Sequence, residues 1–278
     1  MKITLMGAGG KMGCRVGDNL RQFSQHDIAY VEVSDAGIAR LTERGLTTTS
    51  QSEAIANCDA VVLALPDKVI GTVCHQIVPE LSSGALIIGL DPAAGYAGVL
   101  PKRDDIAYFV AHPCHPPVMS DEVTPEAQSD YFGGEYAKQD IVCSLIQGSE
   151  ADYENGETIA RVLYAPVMNS YRITLEQMAI LEPALVETTV LTCLLEMRKA
   201  MDKAVDMGVP ADAAKSFMMG HLRVLLAIVF DYVDFPVSDG AKLAADVAAP
   251  IIFQPDWVEQ IFNIEAVQAS VTEIVSGE

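Results

Sequence analysis

Two histidines stand close together in the run His-Pro-Cys-His-Pro-Pro at positions 112–117. The pKa of an imidazole lies near neutral pH, so His112 or His115 can accept the proton of a hydroxyl group that is being oxidised. The three prolines restrict the backbone, which suits a side chain that must be held in position. The same imidazoles could instead bind a metal ion with Asp121 as a nearby carboxylate, or lie on a surface turn. The run predicts a catalytic site and leaves the metal open.

Glu182 is the second residue whose surroundings point to chemistry. On a helix, its neighbours at three and four positions are all apolar, namely Met178, Ala179, Leu185 and Val186. A carboxylate rarely lies in such a patch without a partner, a ligand or a raised pKa. We therefore predict a catalytic role for Glu182.

Glu187 and His221 also have apolar neighbours. Glu182 and Glu187 can be read as a general acid and base or as metal ligands, and we expect Glu187 and His221 to contact the substrate. The alternative for each of the three residues is a polar side chain that is hydrogen-bonded within the core.

A glycine-rich loop stands close to the start of the sequence, where residues 7–13 read Gly-Ala-Gly-Gly-Lys-Met-Gly. It lies between a predicted strand and a predicted helix, which is the context in which such a loop binds a pyrophosphate. The spacing departs from G-x-G-x-x-G, because position 12 is Met and the last glycine comes one residue later. The predicted cofactor-binding residues of the loop are Gly7, Gly9, Gly10, Lys11, Met12 and Gly13.

Glu32 follows Gly13 by nineteen residues, near the end of the second predicted strand. A carboxylate at that place accepts the ribose hydroxyls of NAD and repels the 2′-phosphate of NADP. Positions 33–35 are Val, Ser and Asp, without a cation for that phosphate, so we predict NAD. The residues Leu65, Pro66, Asp67 and Asp91 follow the next two predicted strands, where loops of a parallel sheet meet the cofactor.

The elements that must position these residues alternate between strand and helix. Strands are predicted at 3–6, 28–33, 60–65, 85–90, 106–110 and 141–146, and helices at 11–23, 36–44, 69–81 and 153–163. This alternation is typical of an α/β domain with a doubly wound (Rossmann) parallel sheet, which we assign to residues 1–168. Two long helical patterns follow at 175–207 and 211–233, so residues 169–278 are predicted to form a helical domain for substrate binding and dimerisation.

Composition excludes several classes of protein. The 278 residues contain 18 Lys and Arg against 38 Asp and Glu, a net charge of −20, and this acidity disfavours nucleic acid and acidic membranes as partners. Six cysteines without a C-x-x-C pair indicate a cytoplasmic protein with reduced thiols. The helix from residue 175 is apolar on nearly every side, so we predict a homodimer in which a second subunit covers it.

Five segments of the sequence resemble the β-hydroxyacid dehydrogenase and 6-phosphogluconate dehydrogenase-like superfamily, most closely the subgroup that includes the D-apionate oxidoisomerases. The similarity covers essentially the whole chain, and its most specific part is the His-Pro-Cys-His-Pro-Pro run. The other segments are the glycine loop, 62–67, 177–183 and 220–222. The lysine motif G-x-x-G-x-G-x-x-x-K of hydroxyisobutyrate-type enzymes is absent around residues 174–185, which argues against their mechanism.

This resemblance implies NAD-linked oxidation of a branched sugar acid, coupled to the shift of a carbon substituent. Such an α-ketol shift needs a base and an electrophile. His112 or His115 would be the base, and His115, Glu182 and His221 are the candidate ligands of a divalent metal ion. Two alternatives stay open, a plain hydroxy-acid dehydrogenase without the carbon shift and a sensor that binds the dinucleotide without chemistry. Prephenate or arogenate oxidation is a further, weaker alternative, because the likeness to those enzymes is limited to the first domain.

Overall fold

The computed structural model describes residues 1–277, which contacts divide into two compact units. The first unit contains residues 1–180 together with the C-terminal segment that begins at Gln268, and the second contains Leu181–Val267. The boundary predicted between residues 168 and 169 falls inside a strand of the first unit.

The first unit follows the predicted alternation of strands and helices. Its strands are β1 (Lys2–Met6), β2 (Asp27–Val31), β3 (Ala60–Leu63), β4 (Leu86–Gly89), β5 (Ala107–His115), β6 (Gln139–Gln147) and β7 (Val167–Arg172). Its helices are α1 (Lys11–Phe23), α2 (Asp35–Glu43), α3 (Gln51–Ile55), α4 (Asp67–Ile77), α5 (Ala93–Tyr96), α6 (Pro125–Ser129), α7 (Glu150–Leu163) and α8 (Leu175–Ala179), with a 3₁₀ turn at Val78–Glu80.

The seven strands form one sheet in the order β2-β1-β3-β4-β5-β6-β7. The strands from β2 to β5 are parallel, which confirms the predicted doubly wound α/β fold. β6 differs, because it is antiparallel to β5 and parallel to β7. The chain between β5 and β6 contains only the short helix α6, which does not cross the sheet, so the chain returns along β5 in the opposite direction.

The apolar strands place the core on both faces of the sheet. Val61 and Val62, successive residues of β3, are both fully buried, and they belong to different clusters of core side chains. Successive side chains of a strand point to opposite faces, so each face carries its own core. Helices cover both faces and leave the carboxyl edge of the strands for the connecting loops.

The second unit is helical. It begins one residue into a segment with π-helical geometry at Ile180–Val190 and continues with α9 (Leu191–Asp206), α10 (Ala211–Val229), α11 (Asp239–Ile252) and α12 (Trp257–Ile261), and α13 (Ile264–Ser276) begins in it. Pro183 lies inside the π-helical segment, and the Thr189 hydroxyl donates to the carbonyl of Ala184 at 2.8 Å. Proline has no N–H to donate, so it disturbs regular α-helical bonding here.

The long apolar helix is not fully covered within a single chain. Leu191 is 51% exposed and Leu194 is 49% exposed. By length and composition alone, the helix Leu175–Asp206 could cross a membrane, with a mean hydropathy of 1.6 in its most apolar window. The core helices of soluble proteins pass the same test.

Candidate functional site

The backbone of the loop between β1 and α1 packs directly against neighbouring backbone atoms. Gly7 has a φ of +70°, and a side chain there would also overlap the carbonyl oxygen of Ala64. A methyl group on Gly9 would overlap the backbone of Gly37, and one on Gly13 would overlap the carbonyl of Gly7. The fit is therefore close enough to require glycine at these positions.

The end of α1 beside this loop fits an anion. α1 follows the extended residue Gly10, and within residues 1–277 no side chain caps the helix there. The first N–H groups of a helix lack partners within the helix, and its dipole favours negative charge. Lys11 is exposed and Met12 is half-buried at this turn. The predicted pyrophosphate cradle therefore has the geometry that a dinucleotide needs.

Glu32 lies directly after β2, and its carboxylate is held by four donors. Oε2 accepts from the N–H of Gly9 at 2.9 Å, whereas Oε1 accepts from the N–H of Val33 and from the N–H and hydroxyl of Ser34, each at 2.9 Å. Burial raises the pKa of Glu32, but these hydrogen bonds outweigh it and leave the pKa below its ordinary value. The group is therefore a fixed anion beside the glycine loop at neutral pH.

Two residues of α2 belong to this part of the site and escaped the sequence analysis. A methyl group on Gly37 would overlap the carboxylate of Glu32, and the backbone of Gly37 also packs directly against Gly9. Arg40 donates from Nε to the carbonyl of Gly9 at 2.6 Å, so a cation does stand near the predicted adenosine site. A glycine inside a predicted helix was the one available signal, because such a residue commonly marks close packing.

The turn after β3 adjoins the glycine loop. Met6 of β1 and Leu63 of β3 are register partners, so the residues that follow them lie side by side. Leu65 packs against the core, and Pro66 immediately precedes α4, which begins at Asp67. This placement agrees with a position along the cofactor.

Asp91, just after β4, and His112, inside β5, lie at equivalent positions along neighbouring parts of the sheet. Gly89 of β4 pairs with Val110 of β5, and each of the two residues lies two positions beyond that pair. An oxygen of the Asp91 carboxylate and a ring nitrogen of His112 lie within 4.8 Å of each other, and both residues are half-buried. Sequence analysis assigned Asp91 to the cofactor, and that role stays a prediction; the structure places Asp91 beside the candidate base.

Hydrogen bonds to the backbone orient both members of this pair. Nδ1 of His112 lies 2.8 Å from the carbonyl oxygen of Leu90, which can only accept, so Nδ1 carries the proton and Nε2 the lone pair. The Asp91 carboxylate accepts from the N–H of Ala93 at 2.8 Å. His112 therefore presents a basic nitrogen that can take a proton or bind a cation.

His115 is held in a similar way but in a different setting. Its backbone has a φ of +61°, and its Nδ1 donates to the carbonyl of Phe132 at 2.9 Å. Its ring centroid is 6.4 Å from that of His112. The Asp121 carboxylate, considered as a third ligand, lies 3.8 Å from the ammonium of Lys138, which favours an ion pair there instead of a metal site.

The other three candidates belong to the second unit. Glu182 is half-buried, and the two residues that follow it, Pro183 and Ala184, are buried. Glu187 and His221 are exposed in the single chain, although their sequence neighbours are apolar. The Nδ1 of His221 donates to the carbonyl of Phe217 at 2.8 Å, and the two rings stack at 3.9 Å.

Two known protein families match the two halves of the chain. Residues 120–275 match the family described as "Phosphogluconate dehydrogenase (decarboxylating) C-term". Residues 1–113 match "Acetohydroxy acid isomeroreductase, NADPH-binding domain". A ketol-acid reductoisomerase from an uncultured archaeon, described as NADH-preferring, has a TM-score of 0.61 at 17% identity over 99% of this chain and 82% of its own, which shows the fold alone.

More similar proteins span the full length. The chain is 48% identical to "D-apionate oxidoisomerase" of Rhizobium rhizogenes over 98% of both chains, and 46% identical to the protein of that name in Cupriavidus necator over 98% of this chain and 99% of the other. A crystal structure of a "Semialdehyde dehydrogenase NAD-binding Protein" from Cupriavidus necator "in Complex with Calcium and NAD" has a TM-score of 0.95 at 46% identity over 98% of both chains. The chain therefore belongs to the D-apionate oxidoisomerase family of the 6-phosphogluconate dehydrogenase-like superfamily, as its motifs predicted.

Proposed function

We propose that this chain is an NAD-dependent oxidoreductase that oxidises D-apionate, a branched sugar acid, and couples the oxidation to an α-ketol rearrangement. The observation that carries the proposal is the pairing of Asp91 with His112 at the carboxyl edge of the sheet. This pairing occurs in a chain that is 48% identical over nearly its full length to a D-apionate oxidoisomerase.

The glycine loop and Glu32 hold the cofactor. The uncapped N–H groups at the start of α1 bind the pyrophosphate, and Oε2 of Glu32, which accepts one hydrogen bond from the chain, accepts another from the adenosine ribose. NAD accepts the hydride that leaves the substrate carbinol carbon. The choice of NAD is supported by the related crystal structure, which contains NAD.

His112 is the base of both chemical steps. In the first, its Nε2 takes the proton of the secondary hydroxyl next to the carboxylate, while that carbon loses a hydride and becomes a ketone. His112 then releases this proton to water, so its Nε2 is a base again for the second step. In the second, the neighbouring tertiary hydroxyl loses its proton and becomes a carbonyl, as one carbon substituent moves to the first ketone carbon. The migrating substituent carries its bonding pair, so one C–C bond breaks as another forms and the first ketone oxygen regains a proton.

Asp91 is the proposed ligand of a divalent cation next to His112. Glu182 stays a candidate ligand on the sequence alone. Calcium and magnesium prefer carboxylate oxygens to imidazole nitrogen, so Asp91 binds the ion and His112 stays a base. The related crystal structure contains calcium. Such a cation would polarise the substrate oxygens as a Lewis acid.

Turnover assays with a panel of acids test this proposal. We expect the purified protein to reduce NAD with D-apionate, and carbon NMR of the product to show a rearranged skeleton. Turnover of a linear hydroxy acid to an unrearranged oxo acid would favour the plain dehydrogenase. Tight NAD binding without turnover of any acid would favour the sensor.

A homodimer is the second part of the proposal, and it concerns the helical unit. Leu191, Leu194 and Leu195 of α9 and Phe217 of α10 are exposed, and water contact with side chains this large is unfavourable. A second copy of the same unit would cover them. Light scattering should give twice the chain mass, and Leu194→Lys should lower it towards one chain mass, whereas Val123→Lys on the first unit should not. A wild-type mass of one chain would contradict this prediction.

The remaining partner and location predictions follow from charge and cysteine content alone. Exclusion of nucleic acid and membranes, and a cytoplasmic location, therefore stay predictions.

A further inference from the structure

Two charged side chains hold the backbone of Gly9, one at its N–H and one at its carbonyl. The carboxylate of Glu32 accepts from the N–H of Gly9 at 2.9 Å, and the guanidinium of Arg40 donates from Nε to its carbonyl at 2.6 Å. Gly37 packs against both Glu32 and Gly9, so the side chains of Glu32 and Arg40 both contact the backbone of the glycine loop beside α2. This region adjoins the anion cradle of α1.

We infer that Arg40 is a second residue that determines cofactor selectivity. It holds the glycine loop in place for NAD. It also provides a cation that would bind the 2′-phosphate of NADP if the Glu32 carboxylate did not repel that phosphate. The inference rests on the proposed NAD-linked function and deepens it. In this arrangement the single carboxylate of Glu32 excludes the 2′-phosphate of NADP.

The hydrogen bonds of Arg40 support its double role. A guanidinium has five N–H donors in a planar fork, and the Gly9 carbonyl engages Nε. The terminal Nη groups of this exposed side chain carry its other N–H donors, and a guanidinium can bind a phosphate with two parallel hydrogen bonds. Arginine is well suited to such bidentate binding.

The hydrogen bonds of Glu32 explain why the wild-type protein would still select NAD. Three donors converge on Oε1 and one on Oε2, and they keep the pKa of Glu32 low, so the group is charged at neutral pH. A 2′-phosphate at the ribose would meet this anion at close range, and like charges there are strongly unfavourable. If the carboxylate were removed, the guanidinium of Arg40 would remain and would attract the 2′-phosphate.

Binding of reduced cofactors to the full chain tests the inference without any sugar acid. The variants are Glu32→Ser, Arg40→Ala and the double variant, with NADH and NADPH titrated by nicotinamide fluorescence. We expect Glu32→Ser to weaken NADH and strengthen NADPH by about 10-fold or more, since charge-assisted hydrogen bonds have that magnitude. The double variant should lose the gain in NADPH. Arg44→Ala is the matched control, because Arg44 lies one turn further and pairs with Asp18 at 3.4 Å.

Each outcome separates the inference from the proposed function. NADPH binding by the double variant that equals that of Glu32→Ser would overturn the inference and leave the proposed function intact. Failure of the wild-type protein to bind NADH would overturn the proposed function itself. If Glu32→Ser does not fold, Arg40→Ala alone decides, because a role in fixing the loop requires weaker NADH binding by about 3-fold or more than in Arg44→Ala. Equal NADH affinity in these two variants would overturn the inference.

Discussion

Replacement of His112 by alanine is expected to lower kcat for D-apionate oxidation by about 100- to 10,000-fold, the usual contribution of a positioned base. The reason is the hydrogen bond from Nδ1 to the carbonyl of Leu90, which places the lone pair on Nε2. NADH binding should be unchanged, because the glycine loop and Glu32 hold the cofactor independently of His112. Steady-state kinetics and fluorescence titration of the same preparation measure both quantities.

His75→Ala is the matched control for this prediction. His75 on α4 also donates from Nδ1 to a backbone carbonyl, that of Gly71, at 2.8 Å, but it lies away from the Asp91 pair. Its loss should leave kcat within a few-fold of wild type. A small effect of His112→Ala together with a large effect of His115→Ala would instead identify His115 as the base.

The first half of the fold was predictable because local and long-range signals agree there. The predicted helix 11–23 coincides with α1, since a glycine loop precedes it and its apolar residues recur at helical spacing. The direction of β6 was not predictable, because alternation identifies a strand without saying which way it runs. The π-helical geometry of Ile180–Val190 had one signal in the sequence, the proline at position 183.

The candidate site also has a part that could be predicted from the sequence and a part that could not. The glycine loop and Glu32 were predictable because their spacing along the chain reflects a single strand-helix-strand unit. The pairing of Asp91 with His112 depends on the register of β4 against β5, which no local pattern reveals. Arg40 was missed because its contact with Gly9 spans 31 residues and comes from the face of a helix.

Asp91→Asn is expected to weaken binding of a divalent cation by more than about 100-fold, since even groups that only orient a ligand contribute about 10- to 100-fold. The substitution keeps the size of the side chain, and its amide oxygen can still accept from the N–H of Ala93, so the turn after β4 should remain folded. Calorimetric titration of chelator-treated protein with calcium or magnesium measures the affinity. Asp105→Asn is the control, because Asp105 pairs with Arg103 at 2.7 Å outside the site.

The same titration separates the two roles considered for His112. If the Asp91 carboxylate binds the ion and His112 is the base, His112→Ala lowers kcat by about 100- to 10,000-fold but retains the cation. If imidazole is a ligand, His112→Ala and Asp91→Asn lose the cation together, and the proton must leave through another group. Retention of both the cation and full turnover in Asp91→Asn would contradict the proposed metal site. Because hard cations prefer oxygen ligands, we expect cation binding to follow the carboxylate and turnover to follow the imidazole.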